Sequence, residues 1–111
     1  MKCKYAVAGA VLAIAVLSLV SAPAMARMTG EGRQAFVDAS RKSCSEGLHK
    51  NNPKLPADAV EAYCSCMAEA EADMTTDADV EYMSAHNAAT EDYRTRVVAL
   101  APACKAKAGL K

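Results

Sequence analysis

The chain opens on a nearly continuous apolar run and then changes to a helical rhythm. Apolar residues extend from Tyr5 to Val20, broken only by Gly9 and Ser18, whereas beyond Gly30 they recur at intervals of three and four. No alternating β-branched run interrupts that second pattern, so the expected fold class is all-α. Four helical segments follow from it. The first spans about 30–48 after Thr29 as N-cap, with Phe36, Val37, Ser40, Cys44 and Leu48 on one side. Asn51-Asn52-Pro53 breaks the chain. The second starts between Pro56 and Asp58, either with Pro at the first turn or with Asp58 and Glu61 as a capping box, and runs to Met74. Thr76, backed by Asp77 and Asp79, opens a third segment to about Ala89, the acids favouring the positive end of the helix dipole. A fourth starts after Thr90 and carries Tyr93, Val97, Leu100 and Cys104 on one stripe; Pro102 should kink or restart it.

The opening run reads as an export leader. Lys2 and Lys4 precede it, and Ala24-Met25-Ala26 follows it with small residues where a signal peptidase reads them. Its 16 residues fall short of the ~20 that a membrane span needs. Cleavage after Ala22 would place Pro23 next to the scissile bond, so residues 1–26 are assigned to the signal and 27–111 to a single helical domain, periplasmic or secreted. Cys3 precedes the apolar run and leaves with it, which argues against lipidation.

Discounting the leader changes what composition means. The remainder holds seventeen alanines, no Ile and no Trp, and its larger apolar side chains are few. At this size such a core leaves only ~3–5 kcal/mol of stability, so covalent staples are expected. Four cysteines remain: Cys44, Cys64, Cys66 and Cys104. In an exported chain they read as disulfides. On the second helix Val60, Tyr63, Met67, Ala70 and Met74 form an apolar stripe, and Cys64 and Cys66 fall on its opposite shoulders. Residues two apart on a helix cannot bond to each other, which leaves two connectivities. Level matching in an antiparallel hairpin favours Cys44–Cys64 with Cys66–Cys104 over the crossed pair. The expectation is a small disulfide-stapled bundle with the second helix in the middle.

Charge divides along the same lines. Between Leu55 and Tyr93 there are ten acids and no Lys or Arg, while 27–54 carries six bases against three acids and 94–111 carries five bases and no acid. Complementarity within one bundle accounts for this division; the functional reading is an acidic surface, comprising Glu69, Glu71, Asp73, Asp77, Asp79 and Glu81, offered to a cationic partner. The domain has neither a net positive charge nor a basic stripe with interleaved aromatics, which argues against nucleic acid. Asp77, Asp79 and Glu81 begin like an EF-hand loop, but Tyr82 stands where its Gly is needed and Ala88 where its bidentate Glu belongs, so calcium is rejected.

Two rival chemistries centre on Cys64 and Cys66. With Met67, Met74, Met83 and His86 they could ligate copper or zinc, and as an exposed, reducible bridge they could exchange with client thiols. Against both, a Cys-x-Cys held on a regular helix splays its sulfurs, and the redox signature of Cys-x-x-Cys beside a sheet is missing. No Gly-x-Ser-x-Gly is present and His49 and His86 have no triad spacing. The expectation is no catalytic residue, no metal, no cofactor and no membrane association once the leader is removed, with another envelope or secreted protein as partner.

The series of lone Cys44, then Tyr63-Cys64-Ser65-Cys66, then closing Cys104 in an exported Ala-rich helical chain resembles small uncharacterised envelope proteins of Gram-negative bacteria. That resemblance implies an exported helical fold and brings no activity with it. Periplasmic immunity proteins, also disulfide-bonded and helical, typically carry a glycine-containing segment after the cysteine, where this chain has Met67-Ala68-Glu69.

Overall fold

The computed structural model describes residues 28–111; the leader assigned to residues 1–26, with its cleavage after Ala26, lies outside them. Five helices follow one another: α1 (Gly30–Asn51), α2 (Ala57–Met74), α3 (Asp77–His86), α4 (Glu91–Val98) and α5 (Ala101–Ala108). No β-strand occurs among the described residues, and the all-α disulfide-stapled bundle is observed. The expected fourth segment is two helices because Pro102 occupies the first turn of α5 and restarts the chain after Leu100. Gly109 then ends α5 at φ 71°, in the left-handed region that glycine enters without a Cβ clash.

Helix ends depart from expectation where caps compete. Thr29 is the N-cap of α1 yet makes no side-chain cap bond, and α1 continues to Asn51 before the Asn-Pro break stops it. Pro56 is itself the N-cap of α2, so Asp58 lies inside the helix and forms no capping box with Glu61. The third helix has the full box: Asp79 N donates to Thr76 Oγ1 and Thr76 N donates to Asp79 Oδ2. It stops at His86 rather than Ala89 because Asn87 turns left-handed at φ 53°.

The packing of α2 corrects the assignment of its buried face. The fully buried residues are Val60, Cys64, Ala68 and Ala72, one step of four after another, whereas Tyr63, Met67, Ala70 and Met74 are half-buried. The core-facing stripe is therefore rotated by about 100° from the one the larger side chains suggested. Backbone approach explains it. Ala68 and Ala72 let α1 come close, where Val37 is buried against them with Phe36 and Met28 at the edge. Large side chains would hold the helices apart.

Two bridges complete the frame. Cys44–Cys64 joins α1 to α2 with Cα atoms 5.6 Å apart, and Cys66–Cys104 joins α2 to α5 at 5.5 Å, both inside the ordinary range. This is the connectivity that level matching favours, and α2 sits between its two covalent neighbours. Two disulfides suit an oxidising compartment. No helix among the described residues is long and apolar enough to cross a membrane.

Candidate interaction surface

The six acids of the expected binding surface have different fates. On α2, Glu69 and Asp73 lie one turn apart and both reach Arg33 of α1, at 2.9 and 2.6 Å. These hydrogen bonds, that to Asp73 first, raise the already high Arg33 pKa further. Glu61 pairs with Arg41 in the same interface. A neighbouring groove of about 370 Å³, lined by Asp38, Arg41, Lys42, Glu46 and Glu61, is occupied by charges that largely pair with one another.

Glu71 turns the other way, toward α4. Its Oε1 accepts from the Tyr93 hydroxyl at 2.9 Å, its backbone carbonyl accepts from Thr75 Oγ1 at 2.6 Å, and the Thr75 and Tyr93 hydroxyls lie 2.9 Å apart. Thr75 is wholly buried and Tyr93 nearly so. Every buried side-chain nitrogen and oxygen among the described residues has a partner. Burial pushes the Tyr93 phenol well above its ordinary pKa, and the adjacent Glu71 carboxylate adds to the shift, outweighing the Thr75 hydrogen bond that opposes it.

Asp79 is the most enclosed of the paired acids, its side chain only 12% exposed. It accepts from Thr76 as cap and from Arg96 of α4 at 2.8 Å. Desolvation works to raise its pKa, but the hydrogen bonds from Arg96 and Thr76 prevail and hold it below the usual value. Arg96 also reaches Asp92 at 2.9 Å and the Met74 carbonyl at 3.4 Å, and its guanidinium lies 5.3 Å from the Tyr93 ring centroid. One arginine thus ties the end of α2, the start of α3 and the body of α4.

That leaves Asp77 and Glu81, both exposed on α3, with no ion pair or side-chain hydrogen bond among the described residues. Their helix is unusual: α3 contributes no buried residue at all. Ala78, Glu81, Tyr82, Ala85 and His86 instead line a shallow outward groove of about 310 Å³. These positions follow the i, i+3, i+4, i+7 rule of an interacting helix face, turned to solvent. Tyr82 is 39% exposed, and the His86 ring stacks on it at 3.9 Å between centroids. His86 Nδ1 lies 3.0 Å from the Tyr82 carbonyl oxygen, which braces the pair.

Sequence reasoning used Tyr82 only as an obstacle to calcium. The signal that it matters was available: Ala78, Tyr82 and Ala85 share a stripe on a segment with few other large apolar residues. The four cysteine sulfurs among the described residues are engaged in the two bridges. Metal ligation or thiol exchange through Cys64 and Cys66 would first require a bridge to open. His86 and His49 stand exposed at the ends of α3 and α1, and no cluster of three His, Cys, Asp or Glu side chains is placed to hold a metal among the described residues. No family model matches the chain, and no curated protein or solved structure matches it.

Proposed function

We propose that this chain is an exported, non-enzymatic interaction module of the cell envelope, processed after Ala26, whose outward α3 face binds a cationic protein partner. The observation that carries the proposal is that α3 has no fully buried residue, only Asp79, Val80 and Met83 being half-buried. A ten-residue helix with no fully buried side chain gains limited stability from packing. Its cap and the Arg96–Asp79 pair nevertheless hold it in one place. The face so presented has a stacked Tyr82–His86 pair at its centre, small Ala78 and Ala85 beside it, and unpaired Asp77 and Glu81 on the same helix. An aromatic anchor among acids suits a basic partner surface.

The wider acidic surface of Glu69, Glu71 and Asp73 is a poorer test position, since Arg33 and Tyr93 already engage those side chains. Asp77 and Glu81 are the clean ones. A photo-crosslinking residue placed at Tyr82 should capture a discrete partner in envelope extracts, and Asp77→Asn with Glu81→Lys should abolish capture while leaving the circular dichroism spectrum unchanged. Equal capture from Val98, the other strongly exposed apolar position, would overturn the proposal.

A further inference from the structure

A third recess lies among other elements and, unlike the α3 groove, has only cationic charged side chains. Leu48 near the end of α1, Asn52 and Leu55 of the following loop, Tyr63 of α2, and Lys105, Leu110 and Lys111 at and beyond α5 enclose about 270 Å³. Three of the four leucines between residues 28 and 111 stand here, half-buried, while the fully buried core is made of Val, Ala, Cys, Tyr and Thr. The largest aliphatic side chains therefore line a recess instead of filling the centre. Lys105 and Lys111 are exposed and take part in no ion pair. Both bridges brace the walls, since α1, α2 and α5 are the elements they join.

We infer that this recess binds a free anionic amphiphile, a carboxylate on one short hydrocarbon chain, with Leu48, Leu55, Tyr63 and Leu110 around the chain and Lys105 and Lys111 on the carboxylate. Charge complementarity selects the head group, because the charged side chains of the lining, Lys105 and Lys111, are both cations. Size and shape select the tail. The volume sits near the lower edge of small-molecule sites, which suits a short chain rather than a bulky ring system. An acidic helix would need a longer groove, and an extended peptide would need an unpaired strand edge, which the described residues do not supply.

The test titrates decanoate, below its micellar concentration, into the oxidised protein expressed from its full sequence, with backbone amide NMR as readout. Decanoate should shift the amides of Leu48, Leu55, Tyr63, Lys105 and Leu110 saturably. Decanol, acetate and decyltrimethylammonium, which lack the charge, lack the chain or reverse the charge, should each bind at least about tenfold more weakly. Lys105→Glu with Lys111→Glu, both exposed positions, should weaken decanoate by about the same factor with an unchanged circular dichroism spectrum, and Leu110→Ser should weaken decanoate and decanol alike. Equal binding of decyltrimethylammonium to the unaltered protein overturns the inference without relying on any variant. So do shifts centred on α3, or a decanoate affinity indifferent to both lysines.

Discussion

Tyr93 shows how much one residue does in so small a core. Its ring is buried beneath Arg96, and its hydroxyl joins Glu71 and Thr75 across the α2–α4 junction. Tyr93→Phe keeps the ring but removes a donor from a half-buried carboxylate, so urea unfolding should show a loss of about 1–2 kcal/mol. A change below ~0.5 kcal/mol would mean that water replaces the phenol at no cost. Asp79 predicts a pH effect. Its carboxyl is held below the ordinary value in the folded chain, so the stability it contributes is complete above the unfolded pKa near 3.8 and is lost as pH falls through the lower folded value. The acid limb of a stability profile between about pH 5 and 2 should therefore be shallower in Asp79→Asn than in the unaltered protein. Parallel limbs would show that the Arg96 pair contributes nothing beyond screening.

Among the helices, α3 is the one whose stability rests on its ends. It has a capping box and a left-handed Asn87 stop, and none of its side chains is fully buried. Thr76→Ala should cost about 1 kcal/mol, and the loss should be local: amide hydrogen exchange should accelerate across α3 while α2 keeps its protection. Uniform acceleration through both helices would instead make α3 part of the cooperative core. Helix α2 teaches a different lesson. Its periodicity located the helix to within a residue at each end, but its larger apolar side chains pointed to a face about 100° from the buried one, because alanine allows a close approach that hydrophobicity alone does not anticipate.

For the whole molecule, the bridges carry the weight that a thin core cannot. They close 20 and 38 residues of sequence, which in the chain-entropy view corresponds to about 3.3 and 3.9 kcal/mol. Replacing Cys66 and Cys104 by Ala should therefore lower stability more than replacing Cys44 and Cys64, by about 0.6 kcal/mol in denaturant titrations. The reverse order would show that the α1–α2 contact, not loop closure, dominates. Intact mass under gentle non-reducing conditions should lie four hydrogens below the reduced chain, with no alkylation. Free thiols there would return Cys64 and Cys66 to metal or redox chemistry.

Local information was sufficient for what is local. Thr76 with Asp79, Thr90, Pro102, Asn51-Asn52-Pro53 and the spacing of apolar residues specify helix starts, the break after α1 and helix identity, because capping, ring geometry and periodicity act within a few residues. The splay of Cys64 and Cys66 on one helix restricted the disulfides for the same reason, and level matching pointed to the pair observed. The acids were legible as a group, but their division was not. Whether Glu69 meets Arg33, Glu71 meets Tyr93 or Glu81 meets nothing depends on which face of each helix turns inward. The leucine and lysine recess was equally hidden, since Leu48 and Leu110 are 62 residues apart in the chain and line one recess only in the tertiary fold. Short-range sterics and hydrogen bonding are written into the order of residues, whereas surfaces belong to side chains that the backbone brings together from a distance.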